Sequence, residues 1–422
     1  MASLTKGFEH FDSKLFSTIN QQNDYQNIFL SSTSIALALS MCTVGARHET
    51  LQQMLQVLEV SSEEELIHMV EQIMQMFSYA NSSKLSTNQF ANDLSLQNRT
   101  CSIESNFTPF QLKLVNHLYT QKGYIIREKY LNLIQTSFQS DIKLEDFENE
   151  SAYVVGKINT WIEEQTNKQI CDILSTKDVT SDTRLVLINC IYFKGEWQDK
   201  FQQTNTNKNA DFYHANGVTS KIELMHKKES YHYIENRDLH VQIAHLPYKS
   251  SDPSLKFIFT VVLPYEGIEL DKIEQKLMSN LKLKQQVLNI ENAPLTELLL
   301  YLPKFKLETK YELKDILISL GMKDAFSEQK ADFRGIFSKV NDENRIWINK
   351  VIHKTFLIVN ENGTEATAAG VVMLRRYGSA FNSRSSQIEF KANRPFLFFI
   401  HEIQHNVVLF SGKFVSPSAP NN

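Results

Sequence analysis

The chain has 422 residues, of which 42% are hydrophobic and 11% aromatic, ample for a large buried core and incompatible with wholesale disorder. Its net charge of −4 is close to balanced, so nothing in the charge points to a nucleic-acid partner or a membrane surface. The four cysteines, Cys42, Cys101, Cys171 and Cys190, form no CxxC pair and read as free, mostly buried thiols.

The first sixteen residues contain no apolar run that could serve as a signal peptide, and no later stretch is long enough to span a bilayer. The expectation is a cytoplasmic protein, or one that reaches the exterior by unconventional release. Residues 5–21 place Phe8, Phe11, Leu15, Phe16 and Ile19 on one helical face. A short strand follows at 27–30, then a helix entered through Ser31 to Ser34 and ending near Gly45. Residues 63–77 read as a helix capped by Ser61 or Ser62. The chain then turns polar over 78–110, the pattern of a long, partly disordered surface insertion. It carries glycosylation sequons at Asn81, Asn98 and Asn106, which matter only in the secretory pathway.

Further along, 112–119 reads as a strand, and 128–138 and 153–165 as helices, the second with Trp161 on its apolar side. Residues 185–193 (LVLINCIYF) are apolar almost throughout, as in a strand buried on both faces. Strand-like runs follow at 231–234, 241–246, 257–263 and 298–305, and a helix at 311–320 closes on Gly321. Residues 396–400 and 407–410 form a hairpin-like pair. Strands and helices intermingle without βαβ alternation, which indicates an α+β fold. With no internal repeat and no dividing linker, 1–422 reads as one domain.

The sharpest enzymatic pattern is the HExxH of His401, Glu402 and His405. It makes a zinc site only on a helix, where both imidazoles share a face one turn apart. Here it lies between FLFFI and VVLF, two strand-like runs, and reads as an exposed turn; no metal is expected. GxSxG, Walker and GxGxxG patterns are absent, so no enzyme activity and no cofactor are expected. His353 sits in an otherwise apolar strand and reads as a hydrogen-bonded structural group.

The stretch 361–374, ENGTEATAAGVVML, is the least ordinary part of the chain. In strand alternation one face is Thr364, Ala366, Ala368, Gly370, Val372 and Leu374, free of charge until Arg376. Glu365, Thr367, Ala369, Val371, Met373 and Arg375 lie on the other face, where a pleated strand would meet water. Such a segment is buriable, yet its small residues give it little reason to stay buried. Directly after it comes RRYGSAFNSRSS, polar, basic and open to proteases.

These residues resemble the serpin family over nearly the whole chain. NIFLSSTSIALALSMCTVGA resembles the segment entering the family's second helix, and LVLINCIYFKGEWQDKF its third strand of the large sheet. VNENGTEATAAG resembles the reactive-loop hinge, and FKANRPFLFFI with LFSGKFVSP the C-terminal signature. The resemblance implies three β-sheets, eight or nine helices and an exposed reactive-centre loop, with hinge and loop over 361–390. It implies a monomeric suicide inhibitor of a serine protease, whose cleaved loop inserts into the large sheet with the protease attached. The alternative is a non-inhibitory binding or storage protein on the same fold.

Position by position, the resemblance makes Glu361, Gly363, Thr364, Glu365, Ala366, Ala368 and Gly370 the hinge. Lys304 matches the partner of the hinge glutamate, and Trp197 the tryptophan where insertion begins. Ser31, Ser34, Asn189 and His353 match a polar cluster beneath the sheet. The chain departs from the family at Ser32, where proline is usual, at Gly370, where threonine is usual, and at Lys168-Gln169 in place of Gly-Lys. Its loop is also several residues longer. Counting from Glu361 puts the scissile bond after Arg376 or between Tyr377 and Gly378. The first implies a trypsin-like target protease and the second a chymotrypsin-like one.

Overall fold

The computed structural model describes residues 6–22, 26–82, 110–250, 252, 254–339, 345–364 and 387–417. The chain opens with α1 (Lys6–Gln22), whose apolar face is the one its spacing predicts, and β1 (Ile28–Leu30). Ser31 caps α2 (Ser32–Thr43) by accepting Ser34 N–H, and every residue of α2 is buried, which explains why it carries no charge and only apolar or small hydroxyl side chains. The next helix, α3 (His48–Leu58), buries Met54, Leu55 and Leu58 at a helical spacing that the sequence displays, but its start carries no signal, because Arg47 at its N-cap makes no side-chain cap. In α4 (Glu63–Ser82) the cap is Ser62, which accepts Glu65 N–H, while Glu65 reaches back to Ser61 N–H. The expected insertion is thus corrected at its start, since 78–82 continue this helix; 83–109 lie outside the described residues.

Next come β2 (Phe110–Gln121), β3 (Ile125–Ile126), α5 (Glu128–Ser137), β4 (Ile142–Glu145), α6 (Phe147–Gln165) and β5 (Leu185–Glu196). Four long strands follow: β6 (Thr206–Tyr213), β7 (Thr219–Asn236), β8 (Val241–Pro247) and β9 (Phe257–Pro264). After α7 (Leu270–Ser279) and α8 (Leu281–Leu288) the chain continues through β10 (Leu295–Pro303), β11 (Phe305–Glu312) and α9 (Lys314–Leu320). The last helix starts later than its periodicity suggests. Tyr311 and Glu312 pair with His353 and Ile352 and so belong to the sheet. The remaining elements are β12 (Phe337–Ser338), β13 (Ile348–Asn360), β14 (Gly363–Thr364), β15 (Ile388–Lys391), β16 (Phe396–Glu402) and β17 (Val407–Phe414).

Nine α-helices and three sheets are present among the described residues, matching the expected α+β architecture. One sheet runs β1-β17-β16-β9-β8-β7-β10-β15 with β6 on β7, and a second runs β11-β13-β14-β5-β2-β4. The third is the small pair β12-β3. The main core lies between the two large sheets, with α2 threaded through it. A second cluster packs α6 on the other face of the six-stranded sheet, joining Val154, Val155 and Ile158 to Ile188, Tyr192 and Phe356. This is why β5 is apolar at nearly every position: one face meets the main core and the other meets α6. No helix among the described residues is long and apolar enough to cross a membrane.

Candidate functional site

Two long strands of the six-stranded sheet, β13 and β5, are parallel and directly paired from Ile348 opposite Leu185 to Phe356 opposite Tyr192. Beyond that point they part. The two residues of β14 lie in the gap, antiparallel to both neighbours: Thr364 stands opposite Val359 and Gly195, and Gly363 opposite Asn360 and Glu196. The sheet is therefore forked at one end and closed along the rest of its length. The chain enters the fork by a tight turn at Glu361 and Asn362 at the end of β13.

Gly363 fits because it has no side chain. Its φ is +151°, and a Cβ there would lie 2.0 Å from Gly195 O and 2.7 Å from Glu196 Cα. Thr364 is fully buried and hydrogen-bonds Tyr248 through its hydroxyl. Tyr248 in turn stacks on Trp197, with ring centroids 4.8 Å apart. Trp197 holds the turn at two points. Its backbone N–H donates to Asn362 O at 3.0 Å, and its Nε1–H to Asn360 O at 2.9 Å.

Glu361 is buried at the same turn. Its carboxylate lies 3.3 Å from Lys304 Nζ and accepts from Thr206 Oγ1 at 2.8 Å; its carbonyl accepts from Phe201 N–H at 2.9 Å. Burial works against ionisation here, but backbone N–H, the Thr206 hydroxyl and Lys304 together hold the carboxyl below its usual range. Lys304 also pairs with Glu223 at 2.6 Å. Burial disfavours its charge, yet the Glu223 hydrogen bond and the two carboxylates raise its pKa. Thr206, Glu223 and Tyr248 complete the site and carry no signal in the sequence. They come from β6, β7 and the end of β8, strands far away in the chain.

Midway down the closed ladder, at the pair His353–Asn189, lies a polar cluster in which Ser31, Ser34, Asn189 and His353 are all buried. His353 Nε2 accepts from Ser31 N–H at 3.1 Å, which puts the proton on Nδ1, where it is shared with Asn189 Oδ1. Asn189 Oδ1 also accepts from Ser34 Oγ at 2.9 Å, and its Nδ2 donates to Ser34 O at 3.1 Å and to Asn116. Asn116, on β2, is a member the sequence does not reveal. Burial pushes the His353 pKa down to about 3, so the ring is neutral at physiological pH. Ser31, Ser34, Asn189 and His353 are thus brought together at the N-terminus of α2. Ser32, where the family has proline, points elsewhere and donates to the buried carboxylate of Asp12.

The HExxH residues are arranged otherwise. His401 and Glu402 end β16, and 403–406 form the turn. The expectation of an exposed turn is corrected in part, since both strand residues are buried. His401 Nε2 bonds Thr260 Oγ1 at 2.8 Å. Glu402 is consumed by the N–H groups of Lys256, Gln404 and His405 and by the His405 ring. No group of acids, histidines and cysteines among the described residues could hold a metal ion. Cys42 and Cys190 are buried and Cys171 half-buried, all three free thiols, while Cys101 lies outside the described residues. Also outside them are Glu365, Ala366, Ala368, Gly370, Arg376, Tyr377, Gly378, Asn98 and Asn106; Asn81 falls in the last turn of α4.

A family model described as "Serpin (serine protease inhibitor)" matches residues 6–417. Human Serpin B3 is 33% identical over 421 residues, covering 99% of this chain and 100% of its own. The leukocyte elastase inhibitor of Bos taurus is 33% identical over 417 residues, with the same coverage. Among solved structures, human thyroxine-binding globulin superposes with a TM-score of 0.80 at 24% identity, covering 99% of this chain and 100% of that one. Uncleaved ovalbumin gives 0.77 at 25% identity with the same coverage. With the forked sheet, the two large sheets and the family match over almost the entire length, the chain belongs to the serpin family.

Proposed function

We propose that this serpin is a suicide inhibitor of a trypsin-like or chymotrypsin-like serine protease and acts by inserting its cleaved loop between β13 and β5. The observation that carries the reading is the register at the fork. Because Thr364 stands opposite both Val359 and Gly195, each step forward in the loop is one step back along both neighbours. Extended in this register, Ala366 would meet Leu357 and Phe193, Ala368 would meet Thr355 and Ile191, and Gly370 would meet His353 and Asn189. Leu374 would meet Leu185, the first residue of β5. The charge-free row therefore ends where the sheet ends. A cut after Arg376 or Tyr377 leaves a segment long enough to fill the whole gap, with Arg375 just outside it. Glu361, Gly363, Thr364, Trp197 and Lys304 would gate the opening, and Ser31, Ser34, Asn189 and His353 would be the contacts that must part midway.

The other face behaves differently from a water-facing one. Thr367, Ala369 and Val371 would pass beneath α6, between Phe356 and Tyr192, Lys354 and Cys190, and Ile352 and Ile188. That suits their size and polarity better than solvent does. It also means that α6 has to give way as the strand enters. Insertion replaces one parallel ladder by two antiparallel ones. At roughly 0.5–1.5 kcal/mol net per added hydrogen bond, about ten inserted residues release on the order of 10 kcal/mol. That is comparable with the whole stability of an ordinary domain, roughly 5–15 kcal/mol.

Incubation with trypsin and with chymotrypsin tests the reading. An SDS-resistant covalent band with at least one of them is expected, and the mass of the released peptide decides between Arg376 and Tyr377. If both proteases cut the loop and stay fully active, the inhibitory reading is wrong and a binding role on this fold takes its place.

A further inference from the structure

The chain contains two Asn-Gly dipeptides, Asn216–Gly217 and Asn362–Gly363. In such a pair the Asn side-chain carbon can be reached by the next backbone nitrogen, and glycine puts no side chain in the way. Asn216 is exposed in the turn between β6 and β7. Asn362 lies half-buried in the turn that leads into the fork. Its N–H donates to Asn360 Oδ1 at 2.9 Å, and its carbonyl accepts from Trp197. Its carboxamide has no hydrogen-bond partner among the described residues. Position 363 admits only glycine, for the steric reason given above, so the reactive pair exists because residue 362 is Asn.

We propose that Asn362–Gly363 is a spontaneous modification site, and that conversion of Asn362 to isoaspartate expels β14 from the fork. In the first step Gly363 N gives up its proton to solvent and bonds Asn362 Cγ; the Cγ–Nδ2 bond breaks and ammonia leaves. Water then opens the five-membered imide at one of its two carbonyls. Opening on the side-chain side gives aspartate on an unchanged backbone. Opening on the main-chain side gives isoaspartate, whose backbone runs through Cβ and Cγ and is one carbon longer. The two products carry the same charge and differ in backbone length. A side chain on Gly363 would meet Gly195 O and Glu196 Cα, and Thr364 must keep register with two strands at once. An extra backbone atom just before Gly363 would shift that register. The opening that exposes Gly363 N involves the turn and the start of β14, a local event.

The functional consequence rests on the inhibitory reading, but the chemistry does not, and ageing the full chain at 37 °C separates them. Isoaspartate at 216 and at 362 is quantified over time by peptide mass spectrometry and enzymatic isoaspartyl methylation. Hydrogen exchange of the peptides holding Thr364 and Gly195 reports on β14 without any protease, and complex formation is scored against the fresh protein. Isoaspartate should accumulate at 362, with exchange at Thr364 rising and the complex-forming fraction falling in step. Asn362→Gln, normalised to its own fresh value, should hold both readouts while position 216 continues to convert. Conversion at 216 with none at 362 overturns the proposal, as does conversion at 362 with unchanged exchange. Fresh protein that forms no complex with either protease counts against the inhibitory reading alone.

Discussion

An alanine at 363 would set its Cβ against two backbone atoms of β5 that cannot rotate away. Gly363→Ala is therefore expected to detach β14 while leaving the closed β13–β5 ladder intact. SDS-stable complex should fall at least tenfold with unchanged far-UV circular dichroism; wild-type levels of complex would contradict the steric reading. Thr364→Arg should act by another route, because its side chain enters a buried site against Tyr248, where an unpaired charge costs several kcal/mol. On the proposed mechanism, slow insertion would let the protease complete deacylation, so this variant should be cleaved as a substrate, read as a rise in inhibitor consumed per protease inactivated.

His353, His245 and His401 bind protons only near pH 3, and His117 near 4, all because burial disfavours the charged ring. In the unfolded chain the same rings titrate near 6.5. Between these values the unfolded chain holds more protons, so stability is full above about pH 6.5 and is lost as pH falls toward 3. Urea midpoints measured from pH 7.5 to 4 should decline steadily; a flat profile would show that these rings are not buried neutral.

At the scale of elements, the sequence was most informative where one segment's own pattern decides its environment. The fully buried α2, the two-sided β5 and the capped start of α4 are of this kind. The start of α3 carries no such mark, because Arg47 offers no cap and His48 opens the helix with φ of 51°. The β11–α9 boundary was misplaced because pairing of Tyr311 with His353, a long-range contact, overrides local helical periodicity. The site divides the same way. Glu361, Lys304, Trp197 and the α2 serines were legible through motif resemblance, whereas Thr206, Glu223, Tyr248 and Asn116 are supplied by distant strands with no pattern of their own. One departure from the family is explained by geometry. Asn167 and Lys168 are consecutive left-handed residues after α6, with φ of 53° and 61°. Asn tolerates that conformation and Lys does not, so Lys168→Gly should stabilise the chain by about 0.5–1 kcal/mol, measured by thermal melting.

For the molecule as a whole, the proposed insertion makes the forked sheet a store of free energy. Eight paired positions join β13 directly to β5, and residues 365–386 link β14 to β15 in the chain. On the proposed mechanism, a cut within 365–386 frees the segment after β14 to enter the gap. The cut chain should therefore relax to a more stable state, although it has one covalent bond fewer. Thermal melting of the intact chain against chain nicked once within 365–386 tests this most directly. The account predicts that the nicked form melts about 10 °C higher, on the order expected when about 10 kcal/mol is added to a chain of 422 residues. Nicked protein that melts at or below the intact temperature would contradict it.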